Sequence, residues 1–112
     1  ILKNAPFKVD LVEIFRVYNN RSVIESRLVG WTHGALGEDP ELKDTSSMIA
    51  SSGEGEWTVK IAKELGVDVP VIEDSFKVRQ NSANDKEDSA NGFRNKVVSA
   101  QRGKFGQHPV KK

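Results

Sequence analysis

Trp57-Thr58-Val59-Lys60-Ile61-Ala62-Lys63-Glu64-Leu65-Gly66 reads as one helix and its stop. Trp57, Ile61 and Leu65 recur at four-residue steps, the spacing that lines one helix face. Lys60 and Glu64 stand one turn apart, an ion pair in its less favourable order. Gly66 supplies the left-handed residue at which helices commonly end. The helical period continues on both sides of this stretch, and strand-forming sequence is too scarce for a sheet. The expected fold class is all-α, with residues 1–112 as a single helical domain.

Toward the N-terminus, Ser51-Ser52-Gly53-Glu54-Gly55 is a loop whose two glycines permit unusual backbone angles. Asp39-Pro40 reads as a helix start, an N-cap followed by proline, with Leu42, Met48 and Ile49 as apolar contacts. Ser22 stands three residues before Glu25, the capping-box spacing. The helix it opens is expected to bury Val23, Ile24, Leu28 and Trp31 and to end near Gly34 or Gly37. Val9, Val12 and Phe15 mark an earlier helical face, widened by Leu11 and Ile14.

Toward the C-terminus, Val67-Asp68-Val69 alternates as a strand would, but Pro70 makes it a connector into a helix through Phe76 and Val78. Asn81 to Asp88 is polar. Ala90, Phe93 and Val97 mark a last helix ending before Gly103, after which residues 101–112 form an extended basic tail. Trp31 and Trp57 are expected in the core.

Of the 112 residues, 37% are hydrophobic, below the usual share, and a chain this short leaves much surface unburied. Some of that surface is expected to lie against another chain or domain. The absence of cysteine excludes disulfides, thiolate metal sites and cysteine nucleophiles. No signal peptide or membrane span fits the first residues, and an opening at Ile1 without Met suggests a trimmed chain or a piece of a longer one. The net charge of +1 is unevenly spread: Glu38 to Asp74 hold ten acidic residues against three lysines, whereas Gly92 to Lys112 hold six basic residues and no acid. Such polarity suits self-association or an anionic small ligand better than nucleic acid.

Residues suited to an anion follow from this. Gly53-Glu54-Gly55-Glu56-Trp57-Thr58 is a glycine loop entering a helix, where amides and the Thr58 hydroxyl can hold phosphate oxygens. Its plainer reading is a tight turn with a cap, and the Gly-Lys-Thr ending of a P-loop is absent. Arg79 and Arg102 offer forked donors for phosphate or carboxylate, against the plainer reading of solvated arginines. His108 is a donor that titrates near neutrality, or simply an exposed tail histidine. His33 is read as a helix-end residue and Asp85, Glu87 and Asp88 as a solvated face without calcium-loop spacing.

Four stretches carry a resemblance. Tyr18-Asn19-Asn20-Arg21-Ser22-Val23-Ile24-Glu25-Ser26, Asp39-Pro40-Glu41-Leu42, Ser52-Gly53-Glu54-Gly55-Glu56-Trp57-Thr58 and Ala100-Gln101-Arg102-Gly103-Lys104-Phe105-Gly106-Gln107-His108 resemble, in order, segments of the C-terminal helical domain of 6-phosphogluconate dehydrogenase in its short bacterial and archaeal form. The resemblance implies a cytoplasmic enzyme of the pentose phosphate pathway and gluconate use. It would oxidise 6-phosphogluconate with NADP or NAD, decarboxylate the 3-keto intermediate and release ribulose 5-phosphate. The cofactor would sit mainly on an N-terminal Rossmann domain absent from this chain. The helical domain would supply substrate contacts and a homodimer or higher assembly, without nucleic acid or membrane partners.

Carried over by motif, Thr58 and Arg79 would hold the substrate phosphate. Arg102 and His108 would reach from the tail into a partner subunit's site, Arg102 to the phosphate and His108 to the substrate's polar groups. The family's catalytic lysine and glutamate lie upstream, so no catalytic residue falls in this chain and the fragment is expected not to turn over alone. Glu56 stands where the family has a basic residue, and a carboxylate facing phosphate would repel it. Tyr18 replaces a tryptophan. Two readings compete with the resemblance: a non-catalytic helical self-association module, and a nucleic-acid binder using the basic tail, which the acidic middle of the chain disfavours.

Overall fold

The computed structural model describes residues 1–106, 109 and 110. After a short 3-10 turn at Leu2–Asn4, five helices follow: α1 (Leu11–Tyr18), α2 (Arg27–Glu38), α3 (Glu54–Leu65), α4 (Pro70–Asn81) and α5 (Ala90–Lys104). The described residues contain no strand, in keeping with the all-α expectation. Side-chain caps explain several starts. Asp10, Ser26 and Ser89 accept from the N–H groups of Glu13, Val29 and Gly92 at 3.1, 3.2 and 3.0 Å. Gly66 takes φ 67° at the end of α3, and Pro70 opens α4.

Two groups of helices result. α1 packs on α2 and α2 on α5, while α3 and α4 pack on each other. The core of the first group is Ala35, Leu36, Leu42 and Ala100, with Leu11, Val12, Phe15, Phe93 and Val97 packed around it. Between α3 and α4 only Val59 and Ala62 of α3 are buried. The segment 39–53 straps the groups together. The Ile49 N–H donates to the buried Ser82 hydroxyl at 2.9 Å, and the Ser47 N–H donates to Glu87 at 3.2 Å. Glu87 is held in turn by the buried Lys96 ammonium at 2.8 Å.

Several sequence expectations are corrected. Ser22 and Glu25 do not open a helix. The Ser22 hydroxyl donates back to the Tyr18 carbonyl, the Glu25 carboxylate accepts from the Arg21 N–H, and Arg21 takes φ 58°. These bonds close off the end of α1, so α2 begins at Arg27, and Val23, Ile24 and Leu28 are exposed. Asp39-Pro40 makes turns instead of a helix. Asp39 accepts from the Glu41 and Asp44 N–H groups as an N-cap would, but Leu42 enters the left-handed region at φ 49° and drops into the core. That conformation costs a side-chain-bearing residue roughly 1–2 kcal/mol, which burial of a leucine offsets. Met48 is exposed, as is Trp57 with Ile61 and Leu65, so the regular apolar stripe of α3 faces away from the core. Helix α5 runs through Lys104, so residues 101–104 are helical and not part of an extended tail. The chain then returns, and the Val110 carbonyl accepts from the Ser46 N–H at 2.8 Å.

Candidate functional site

The last turn of α4 and the last turn of α5 each carry an arginine, and both arginines reach the strap between the helix groups. Arg79 Nη1 donates to the Ala50 carbonyl at 3.0 Å, and Arg102 Nη1 donates to the same oxygen. Each guanidinium has five N–H donors. The other donors of both groups have no hydrogen-bond partner among the described residues.

The end of α5 is fixed by its contacts with α2. Gln101 Nε2 donates to the Leu28 carbonyl at 3.0 Å and to Thr32 Oγ1 at 2.8 Å. The Phe105 ring stacks on Trp31 with centroids 5.5 Å apart. These contacts flank Arg102 in sequence. Arg79 is placed through Ser82, whose hydroxyl donates to the Arg79 carbonyl at 2.6 Å and accepts from Ile49.

Both arginines line a cavity of about 500 Å³ with Ser51, Ser52, Glu54 and Phe105. That volume lies in the range of small-molecule sites. The loop that forms its rim turns at Gly53, which takes φ 104° and whose N–H donates to Ser51 Oγ at 3.3 Å. A side chain there would be strained and would press on the Trp57 ring, 3.3 Å from a Cβ. The turn brings the N-terminus of α3 to the cavity, where first-turn amides lack intrahelical acceptors and the helix dipole favours negative charge.

The electrostatics match this geometry. Burial, and then the neighbouring Arg79, push Arg102 below its ordinary value, with Glu54 opposing them. Holding two guanidinium groups together is unfavourable without an anion, and Glu54 is the one acidic residue on the cavity wall among the described residues. Its carboxyl is lowered first by the Ser52 hydroxyl and then by its own backbone N–H, with smaller contributions from Arg102 and Arg79.

The residues expected from sequence are thus sorted. Arg79 and Arg102 come together within one chain, so their meeting does not require a second copy. Thr58 does not line this cavity: its hydroxyl donates to the Glu54 carbonyl at 2.7 Å, and it borders a separate shallow hollow with Trp57, Ile61 and Leu65. His108 lies outside the described residues. Glu56, the unfavourable departure from the family pattern, is exposed and does not line the arginine cavity. The sequence reading did not single out the Ala50 carbonyl, Ser51, Ser52 or the Glu54 carboxylate, although the serine pair and Glu54 all stand in or beside the glycine loop. No group of three or more His, Asp or Glu residues able to hold a metal occurs among the described residues. No described helix is long and apolar enough to cross a membrane. The Gly-x-Gly-x-x-Gly pattern of a dinucleotide site does not occur in these 112 residues.

Comparison with known proteins supplies a context for this site. No protein-family model matches the chain. It is 39% identical over 112 residues to a Bacillus subtilis (strain 168) protein named "Putative 6-phosphogluconate dehydrogenase YqeC". It is 31% identical over 111 residues to the Haloferax volcanii protein named "6-phosphogluconate dehydrogenase, NAD(+)-dependent, decarboxylating". These alignments cover 100% and 98% of the chain, and the chain spans about a third (36%) of the length of each relative.

Proposed function

We propose, from the premise that this chain is related over its whole length to the C-terminal part of 6-phosphogluconate dehydrogenase-type proteins, that it is the substrate-phosphate-binding and self-association part of such an enzyme. The single observation that carries the reading is the convergence of Arg79 and Arg102 on one carbonyl at the wall of one cavity. A phosphate dianion is best met by forked, charged donors, and both guanidinium groups have donors left to give. The Ser51 and Ser52 hydroxyls and the amides at the start of α3 stand on the same rim.

In this reading the chain anchors the phosphate end of 6-phosphogluconate and leaves the hydroxyl and carboxylate end to groups outside it. Binding energy gained at a non-reacting phosphate holds the reacting carbon in place. A nicotinamide cofactor, held outside these residues, would supply the hydride acceptor in a complete enzyme, and the NAD(+) in the Haloferax relative's name favours NAD over NADP. Loss of carbon dioxide from the keto acid then gives ribulose 5-phosphate. The chain alone binds substrate without turnover. Thr58 and His108 enter as ligands only if a neighbouring copy or segment brings them to the cavity.

Self-association is supported by apolar surface that the chain leaves uncovered. Trp57, Ile61 and Leu65 of α3 continue to Val67, and Val23 and Ile24 before α2 are exposed together with Leu28 in its first turn. Surfaces of this kind mark contacts with other protein.

Calorimetric titration with 6-phosphogluconate and with gluconate tests the reading. Saturable binding of the phosphorylated acid, and at least tenfold weaker binding of gluconate, is the expected result. Equal binding of the two, or binding unaffected by loss of both arginines, would refute it. For self-association, sedimentation of wild type and of Ile61→Glu should show an assembly for the first that is lost in the second.

A further inference from the structure

Glu54 has no part in the phosphate-binding scheme, yet it stands on the wall of the same cavity as both arginines. Among the described residues no ion pair within 4.0 Å closes between its carboxylate and either guanidinium. The Ser52 hydroxyl and the Glu54 amide are the main causes that lower its carboxyl below the ordinary value, and the charges of Arg102 and Arg79 add to this. A structural salt bridge would be shut. Here two positive groups and one negative group face a space large enough for a ligand.

We propose that Glu54 is a built-in counter-anion of the arginine pair, which lowers the site's affinity for phosphate and so sets how much negative charge a ligand must bring to be held. The inference rests on the reading of this cavity as the phosphate site. With no ligand, the carboxylate offsets part of the repulsion between Arg79 and Arg102. When a phosphoryl group enters, it meets the same arginines and is repelled by Glu54. A dianion gains more from two guanidinium groups than the carboxylate takes away, whereas a singly charged carboxylic acid gains much less. The plainer role of an acidic residue in a first helical turn is to favour the helix dipole. Glu56 occupies the same turn without lining the cavity, so it separates the two roles.

The test is the affinity of the full 112-residue chain for inorganic phosphate and for 6-phosphogluconate, in wild type, Glu54→Gln, Glu56→Gln and Arg79→Gln, at low and at physiological salt. Circular dichroism checks that each variant is folded. Glu54→Gln should bind both ligands about three- to tenfold more tightly, as expected for removal of one like charge near a protein surface, with a smaller gain at higher salt. Glu56→Gln should match wild type, and Arg79→Gln should bind weakly. If Arg79→Gln weakens binding but Glu54→Gln leaves it unchanged or weakens it, the counter-anion role is wrong and the phosphate site stands. An equal gain in Glu56→Gln would also overturn it, because a general charge effect would then suffice. Failure of wild type and Glu54→Gln alike to bind either ligand would overturn the phosphate-site reading and this inference with it.

Discussion

Arg79 and Arg102, from the last turns of α4 and α5, donate to one acceptor, the Ala50 carbonyl. A shared carbonyl aligns two like charges that would otherwise separate. It also leaves most of their donors directed elsewhere, and the cavity beside them is where an anion would complete the arrangement. The strap that carries Ala50 is therefore part of the site, though it contributes only backbone.

Lysine should not replace arginine here. Arg79→Lys keeps the charge but loses the planar fork, so one ammonium must choose between Ala50 and a ligand. Affinity for 6-phosphogluconate is expected to fall about ten- to a hundredfold, as for loss of one charged hydrogen bond of about 1.5–3 kcal/mol. Isothermal titration of the variant checks this.

Two glycines should respond in opposite ways to alanine. A Cβ on Gly92 would lie 2.2 Å from the Lys86 carbonyl oxygen and 2.6 Å from that of Glu87, both backbone atoms that cannot swing aside. Gly92→Ala should destabilise the chain by about 3 kcal/mol, the upper part of the usual overpacking range. Gly34 lies inside α2 with nothing within 4 Å of its added Cβ, so Gly34→Ala should stabilise by about 0.5–1 kcal/mol. Urea unfolding of the two variants measures both.

Leu36 is 1% exposed in the core formed by α2, the strap and α5, whereas Val23 is wholly exposed. Leu36→Ala should cost about 2–5 kcal/mol, and Val23→Ala less than about 0.5 kcal/mol in the single chain. Equal effects in denaturant titrations would contradict this packing.

The Glu54 carboxyl gives a pH prediction. Its folded-state value lies below the ordinary one, chiefly through the Ser52 hydroxyl. A depressed carboxyl contributes stability above its unfolded value and loses it as pH falls through the folded value. Ser52→Ala should therefore raise the Glu54 midpoint toward the ordinary carboxylate value, as followed by NMR of the side-chain carboxyl. An unmoved midpoint would contradict the assignment of cause.

The helical character of this chain was legible because periodicity and caps are local. The step from Trp57 to Ile61 to Leu65 identifies α3, and Gly66 ends it. The same pattern does not say which face is covered, because a period is blind to partners, and the covered face proved to be that of Val59 and Ala62. Ser22 was the expected start of α2, and Ser26 caps it instead. The choice fell to bonds with Tyr18 and Arg21, which no capping rule weighs. Leu42 defeated a sound helix start at Asp39 by taking a strained angle to reach the core. For the site, Arg79 and Arg102 could be named individually as anion donors. Their meeting at Ala50 depends on how α4 and α5 are strapped, which is tertiary information. Glu54 was visible only as part of a glycine loop, because its neighbours across the cavity are distant in sequence.

The most direct measurement is a double-mutant cycle on 6-phosphogluconate affinity, with Arg79→Ala, Arg102→Ala and the pair, each confirmed as folded. If both guanidinium groups bind one phosphate, each single change should weaken binding about ten- to a hundredfold, and the double change should cost measurably less than the two losses summed. Losses that simply add, or an affinity indifferent to either arginine, would contradict a shared site.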